Sequence, residues 1–276
     1  MWVLPYTTFE KVNLRGGVKV ENISYGMTYG GDSDMFDMGH DFKGVWSGFI
    51  GYNGNHMNYD GISMTQNGGF LGGTLNVYKG NFFTGLTVST GASSGDADTM
   101  YGHDNITLLT AGIANKTGYN FEFFNGKVIL QPSVFLGYSW VNTFDYTNAA
   151  GVKIRQDALN ALQIVPGVKI IGNTKNGWQP YAGIDMVWNV FMGRNQVKAN
   201  DVILPKVSEK AYVQYGVGVQ KTWADRFPGF IQAMVRNGGR NGIVLSAGLR
   251  WALGRNNKNA KNADTKSKNV IKKLKK

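Results

Sequence analysis

The segment Asn241–Leu253, NGIVLSAGLRWAL, alternates between two kinds of side chain along almost its whole length. Successive side chains of a β-strand point to opposite sides of the sheet. The segment therefore predicts a strand with two unlike faces. The apolar face consists of Ile243, Leu245, Ala247, Leu249, Trp251 and Leu253, and the small or polar face of Gly242, Val244, Ser246, Gly248, Arg250 and Ala252.

The same alternation recurs along the chain, where turn-rich stretches separate about twelve predicted strands. Most of them are close to the roughly 9–11 residues with which a tilted strand crosses a bilayer. The sequence therefore predicts an all-β fold, a twelve-stranded antiparallel transmembrane β-barrel. The predicted strands are residues 2–10, 22–32, 43–54, 69–79, 81–92, 105–117, 126–142, 158–172, 178–191, 210–223, 228–236 and 241–253.

The face opposite the apolar one distinguishes a membrane barrel from a soluble β domain, which is the alternative for this pattern. A soluble sheet usually fills its solvent face with Lys, Glu, Thr and Arg, whereas here this face is rich in Gly, Ser, Gln and isolated charges. Such residues suit an enclosed lumen, where bulk and unpaired charge are costly. These side chains either pair with one another or contact a chain or ion in the lumen. The predicted lumen-facing residues are Lys127, Gln131, Lys169, Asp185, Gln214 and Arg250.

Composition supports the same class of protein. The chain has 276 residues with 38 Gly and 17% charged residues, which is glycine-rich and charge-poor for a soluble domain. It contains no run of about 18 apolar residues, so a transmembrane helix is excluded. The absence of cysteine excludes disulfides and thiolate metal sites.

The net charge of +11 is concentrated in one segment. Residues 255–276 carry nine Lys or Arg and one Asp and contain no aromatic residue, so they predict a basic, disordered tail. Residues 1–254 are then close to neutral and form the predicted barrel domain. A nucleic-acid partner is not expected, because it requires a clustered basic face on the folded body.

Loop lengths predict the orientation of the barrel. The connections after odd-numbered strands are long, at residues 11–21, 55–68, 93–104, 143–157 and 192–209, while most others are short. Outer-membrane barrels have long outer loops and short periplasmic turns, so both chain ends, including the tail, are placed in the periplasm. Tryptophans then fall into two girdles, with Trp2, Trp46, Trp178, Trp223 and Trp251 near the periplasmic ends and Trp140 and Trp188 near the outer ends.

Three short motifs resemble the translocator domain of bacterial autotransporters. They are WVLPY at Trp2–Tyr6, YGVGVQ at Tyr215–Gln220 and AGLRW at Ala247–Trp251, and the resemblance covers residues 2–254. It implies a monomeric barrel in the bacterial outer membrane that exports or displays an upstream passenger domain, with a linker helix in the lumen. Its implied partners are outer-membrane lipid, the barrel assembly machinery and the passenger or linker.

The resemblance also implies an assembly signal in the last strand, carried here by Ser246, Gly248, Trp251 and Leu253. The chain departs from the family at this point, because the basic tail follows Leu253 where the family normally ends. In addition, neither a passenger nor a linker helix precedes the first strand. No catalytic residue is carried over from the relatives that cut their passenger, because the linker that they cut is not present.

The residues that suggest chemistry fit turns better than sites. Gly31-Asp32-Ser33 begins like a lipase nucleophile motif but lacks its partners, and His40, His56 and His103 are scattered. The acids Asp32, Asp34, Asp37 and Asp41 miss the spacing of a calcium loop. No enzyme, cofactor or metal is therefore predicted. The alternatives for function are a stand-alone outer-membrane channel or adhesin barrel and an outer-membrane hydrolase that uses loop His and Asp residues.

Overall fold

The structure is a computed structural model that describes residues 1–15, 19–174, 176–193, 195–204, 208–223 and 227–251. Within them no helix is long and apolar enough to span a membrane. Twelve long strands alternate in direction along the chain. They are β1 (Trp2–Arg15), β2 (Lys19–Asp32), β3 (Phe42–Tyr59), β4 (Ile62–Lys79), β5 (Phe82–Thr99), β6 (Gly102–Tyr119), β7 (Val128–Thr143), β8 (Leu159–Gly172), β9 (Trp178–Met192), β10 (Tyr212–Trp223), β11 (Phe227–Gly238) and β12 (Arg240–Arg250).

The sheet closes into a barrel. Each strand pairs antiparallel with the next along the chain, and β12 pairs with β1 from Trp2–Arg250 to Val12–Arg240. The predicted twelve-stranded barrel is therefore confirmed. We call the end at which β1 begins and β12 finishes the terminal end, and the opposite end the loop end. The short strands Phe36–Gly39 and Phe121–Phe123 lie in the turns at the terminal end.

The side chains alternate between the outside and the inside as predicted. In β9, Ile184 and Val190 are 53% and 46% exposed, whereas Val187 between them is 4% exposed. In β12, the residues of the predicted lipid-facing row Ile243, Leu245 and Leu249 are all exposed. Apolar side chains thus cover the outside of a closed sheet whose backbone groups are paired, as a bilayer requires.

Three predicted long loops are wrong, and in the first of them, residues 11–21, β1 runs to Arg15 and β2 starts at Lys19. Residues 55–68 and 93–104 continue the strands, because β3 and β4 meet at a turn of Asp60 and Gly61, and β5 and β6 meet at a turn of Met100 and Tyr101. Asp60 and Gly61 have positive φ angles of 45° and 78°, as tight hairpin turns require. The polar residues of these segments resemble a loop, but backbone pairing does not depend on side-chain polarity and continues beyond the apolar band.

The barrel is consequently taller on one side. Strands β3 to β6 have 18 residues each, whereas β10 and β11 have 12 and β12 has 11. The long loops after β7 and β9 pair with each other in a small separate sheet of Tyr146–Thr147, Lys153–Gln156, Val197–Ala199 and Val202–Ile203. Before β10, Ser208–Glu209 pairs with Leu14 and Arg15 at the end of β1.

The predicted tryptophan girdle needs one correction. Trp46, Trp178 and Trp223 point outward at the terminal end and are 56%, 42% and 45% exposed. Trp2 lies in the inward row of β1, and its indole Nε1 donates a hydrogen bond to Oδ1 of Asp32 at 3.0 Å. An indole that faces the interior satisfies its N–H there, so Trp2 does not belong to the girdle.

Candidate functional site: the barrel interior

A carboxylate on the first strand ties the last two strands to the barrel wall. The side chain of Glu10 is 0% exposed, and its two oxygens each lie 2.7 Å from a guanidinium nitrogen, one of Arg236 on β11 and one of Arg240 on β12. Asn22 on β2 donates a further hydrogen bond to Glu10 Oε1 at 3.1 Å. A buried carboxylate needs this many partners, because an unpaired charge inside a protein is very costly.

The same network continues around the wall. Glu209, from the loop before β10, accepts a hydrogen bond from Arg240 Nε at 2.6 Å and another from the amide of Asn189 on β9. Gln163 on β8 donates to Asn189 Oδ1 at 2.9 Å. In the other direction, Arg236 Nε donates to Gln214 Oε1 on β10 at 2.9 Å. We call the inward side of β8 to β12 and β1 the charged wall.

The aromatic ring of Tyr212 lies among these charges. The guanidinium carbons of Arg236 and Arg240 are 5.5 and 5.7 Å from its ring centroid. Cations near an aromatic face are attracted by the ring quadrupole, so the ring supports two like charges that would otherwise repel each other. These contacts fix the positions of the two guanidinium groups near the loop end of the interior.

The opposite side of the interior is uncharged. The inward rows of β4 and β5 consist of glycines and apolar or neutral polar residues, and we call them the neutral wall. Thr74 and Thr87 share a hydrogen bond of 2.8 Å across it. Between the two walls lies a cavity of about 610 Å³, lined by residues that include Thr87 and Ser89 on one side and Gln163, Asn189 and Arg240 on the other.

A second polar cluster lies at the terminal end. Arg250 Nη2 lies 2.9 Å from Asp32 Oδ2, so the predicted lumen-facing Arg250 is paired with a carboxylate of β2. Ser47 donates to Asp32 Oδ1 at 2.6 Å, as Trp2 also does. Asp32, which stood among the candidate calcium ligands and in the lipase-like motif, thus has an inward structural role.

The other predicted lumen-facing residues lie mostly between these clusters. The ammonium of Lys169 is 4.6 Å from the ring centroid of Tyr181, and Asp185 stands opposite Gly167, where an added Cβ would lie 1.9 Å from Asp185 Oδ1. Asp185 is also paired in register with Gln214. Near the terminal end, Gln131 donates to Asn120 Oδ1 at 2.7 Å.

Lys127 is placed differently from the prediction. It precedes β7 in a turn where its backbone N–H donates to Phe124 O, and it is exposed at the end of the barrel. The predicted strand began at residue 126, before this turn. The alternation therefore does not extend to Lys127, and the side chain lies outside the inward row of β7.

The sequence interpretation missed the central ion network. Glu10 has the same parity as Tyr6 and Thr8 on β1, and Arg240 has the same parity as Arg250 on β12, so alternation carried the signal for both. The sequence predicts a strand that begins one residue later and so leaves Arg240 in a loop. Glu209 comes from a loop, and its position follows from no periodic pattern.

The histidines do not assemble into a hydrolytic site. His103, at the loop-end tip of the β5–β6 hairpin beyond the apolar band, lies 2.6 Å from Asp98 and 3.1 Å from Asp96. The hydrogen bond to Asp98 and the charge of Asp96 raise the pKa of His103, which favours a protonated ring over a general base. His56 is bonded to Thr65 and Asn58. No cluster of three metal-ligating side chains occurs in the described part of the chain.

The predicted assembly-signal residues lie along β12. Ser246 faces inward opposite Tyr6 of β1. Gly248 lies under the ring of Phe230, because a Cβ there would be 2.2 Å from a ring carbon. Trp251 directly follows β12, and its N–H donates to Met1 O at 2.8 Å. Leu253 and the predicted tail, residues 255–276, lie outside the described residues.

The sequence model of the autotransporter β-domain matches residues 1–233. The chain belongs to this family. It is therefore an outer-membrane barrel that exports a passenger domain. As a family, autotransporter barrels are translocators and are generally not enzymes. A comparison with curated protein sequences gives no match.

Solved structures with the same fold include three autotransporter domains. The β domain of the Bordetella autotransporter BrkA superposes with a TM-score of 0.75 at 15% identity, over 91% of this chain and 97% of that one. The transport unit of AIDA-I from Escherichia coli gives 0.71 at 15% identity over 91% and 90%. The translocator domain of NalP from Neisseria meningitidis gives 0.74 at 11% identity over 91% and 87%.

Proposed function

We propose that a passenger joined ahead of β1 passes through the interior of this barrel, and that its linker then rests between the charged and neutral walls. The observation that carries the proposal is the closure of β12 on β1, which pairs Trp2 with Arg250 and bonds the N–H of Trp251 to Met1 O at 2.8 Å. The chain enters and leaves the barrel at the same end. A segment ahead of β1 can therefore reach the loop end through the enclosed polar interior.

The lining residues support a contact with a peptide linker. Gln163, Asn189 and Arg240 face the cavity with amide and guanidinium groups, and Ser89 and Gly112 leave space on the other side. These groups can bond to the backbone and polar side chains of a linker. We assign a similar contact to the predicted residues Gln131, Lys169, Asp185, Gln214 and Arg250.

The test uses two neighbouring positions on β5. An epitope-tagged passenger is fused ahead of Met1, and its surface exposure is measured by protease treatment of intact cells. Ser89→Trp fills the cavity, and Val88→Trp adds the same bulk to the outer surface, where Val88 is 53% exposed. We expect Ser89→Trp to abolish most surface exposure and Val88→Trp to leave it unchanged, with both barrels heat-modifiable.

Normal export by the Ser89→Trp barrel would contradict the interior route. A barrel that displays no fused passenger but conducts ions or binds cells would instead favour the stand-alone channel or adhesin. We further propose that export needs no catalysis by this domain, so replacing His40, His56 and His103 with Ala leaves surface exposure unchanged.

We also propose that the assembly machinery of the outer membrane recognises the last strand through Ser246, Gly248, Trp251 and Leu253, and that residues 255–276 stay in the periplasm. The exposed end of β12 supports this assignment. Trp251→Ala is expected to lower the amount of folded barrel in the outer membrane, whereas Trp46→Ala, which removes an outward indole at the same end, is not. A C-terminal tag that is cleaved in intact cells would contradict the periplasmic tail.

A further inference from the structure

An apolar groove runs along the outer surface over the closing strands. It has a volume of about 800 Å³ and is lined mostly by outward residues of β10, β11, β12 and β1. Its floor consists of small residues, Ala233 and Ala247, together with Pro5. Val217 and Ile231 stand above it and are 61% and 67% exposed. The bilayer therefore meets a depression here.

The groove lies over a weak point of the barrel seam. The pairing between β1 and β12 includes Val3–Leu249, is interrupted, and resumes at Tyr6–Ser246. Pro5 lies in the interruption and has no N–H to donate to β12. A second proline, Pro166 on β8, coincides with a similar interruption between β8 and β9 and with another outer groove. Loss of backbone pairing and a surface depression thus occur together.

The groove ends at a cation that lies over an aromatic ring. Its lower part, of about 340 Å³, shares Pro5 and Ala247 with the upper part and reaches Lys221 at the terminal end. The ammonium of Lys221 lies 4.4 Å from the ring centroid of Trp178. Trp178 and Trp223 are in edge-to-face contact, with centroids 6.5 Å apart. Gly229 pairs with Lys221 and lines the groove beside it, where an added Cβ would lie 2.8 Å from a ring carbon of Trp223.

We propose that this groove binds one phospholipid, with an acyl chain over Ala233, Ala247 and Pro5 and its phosphate on Lys221. An apolar groove that ends at a single cation is complementary to a lipid with an apolar chain and one anionic headgroup. The depression gives an acyl chain more dispersion contacts than a convex surface can. A phosphate on the ammonium adds a charge-assisted hydrogen bond. With the terminal end in the periplasm, the site lies in the phospholipid leaflet.

The chain offers a matched control for the charge. Lys79 lies at the same end of the barrel, and its ammonium is 4.4 Å from the ring centroid of Phe42, as Lys221 is from that of Trp178. Lys79 does not line the groove. Lys79 therefore represents a lysine that binds lipid only by its position at the membrane surface. Lys221 represents a lysine with a groove above it.

The experiment measures phospholipid binding to the purified full chain in detergent by native mass spectrometry, with phosphatidylglycerol as the probe. We expect one tightly bound molecule. Lys221→Gln should weaken its affinity about tenfold, a loss that corresponds to about 1.4 kcal/mol. Lys79→Gln should leave it unchanged. Ala247→Leu, which fills the groove, should also weaken binding, whereas Ala111→Leu on the outer face of β6 should not.

Three results would overturn the proposal. Equal effects of Lys221→Gln and Lys79→Gln would indicate general surface attraction. Equal binding of diacylglycerol, which lacks the phosphate, would remove the role of Lys221, and tighter binding of lipid A would assign the groove to a different lipid. The inference rests on the membrane placement of the barrel, but lipid binding is measured without a passenger. Its failure therefore leaves the export proposal, which is tested in cells, unaffected.

Discussion

The charged wall and the neutral wall have similar outer faces but different inner ones. On the neutral wall, tall strands β4 and β5 are joined by two-residue turns to their neighbours and carry uncharged inward side chains. On the charged wall, β10 to β12 are short, a long loop returns to the barrel, and Glu10 connects two arginines. Height and loop length thus vary together with interior chemistry. The bilayer fixes only the outside, so the two inner faces are free to differ.

The largest expected difference between the walls concerns Glu10. Glu10→Ala leaves Arg236 and Arg240 without their shared buried carboxylate and should lower the free energy of unfolding by about 3–5 kcal/mol. Ser89→Ala on the neutral wall should change it by about 0.5 kcal/mol or less. Urea unfolding of the barrel in lipid vesicles, followed by tryptophan fluorescence, measures both. Equal losses would mean that the ion network contributes no more than a neutral contact.

The second prediction concerns the outer face that the walls share. Ala247→Arg on the charged wall and Val88→Arg on the neutral wall should each cost about 2–4 kcal/mol if the positions lie at the bilayer midplane. The inward neighbours should differ from them. Ser89→Arg has the cavity to enter, and Ser246→Arg should also be tolerated better than Ala247→Arg. Equal stability of Ala247→Arg and Ser246→Arg would contradict the assigned faces.

The third prediction concerns the height of the tall side. Gly61 has a φ angle of 78° at the outer tip of β3 and β4, so Gly61→Ala should strain the turn and cost about 1 kcal/mol. The effect should stay at the tip, because the strands beneath are held by the membrane-embedded sheet. Hydrogen exchange should then quicken near residues 56–65 and remain unchanged near residues 70–75. A uniform change along β3 and β4 would argue against an independent tip.

The smallest effect on stability is expected for an exposed ion pair on the outer face of the barrel, which also joins a carboxylate to a basic side chain. Lys11 and Glu21 are 2.7 Å apart, but their side chains are 64% and 61% exposed. Water screens such a pair, so Lys11→Gln should leave the unfolding midpoint unchanged. A loss comparable to that of Glu10→Ala would show that burial does not explain the importance of the network.

The sequence predicts the outer face of this protein better than its interior. Alternation in β9 and β12 was sufficient to assign the lipid-facing rows, because the bilayer demands an apolar side chain at every second position. The heights of β3 to β6 were missed, because polar residues such as Asn55, His56 and Asn58 look the same in a strand beyond the membrane as in a loop. The interior follows its pattern less strictly. Phe135, an aromatic residue, lies in an inward row that is predicted to be small or polar, and it lines the cavity.

The interior network was missed because its members come together only after closure. Glu10 and Arg240 are 230 positions apart, and Glu209 arrives from a loop without periodicity. Single residues such as Lys169 and Gln214 follow from parity, but their partners depend on the register of all twelve strands. The resemblance in WVLPY and AGLRW identified the family correctly, although it contains none of the charged groups of the network.

The seam between β1 and β12 also has a consequence for the order of events during folding. Hairpins such as β3–β4 and β5–β6 join neighbouring residues and close short loops, whereas the seam joins residues separated by most of the chain. Contacts between distant segments form late, because the entropy of closing a long loop opposes them. The tall hairpins should therefore form early, and the ion pairs of Glu10 with Arg236 and Arg240 should form last. A barrel arrested before that step would be an open, curved sheet with an unpaired first and last strand.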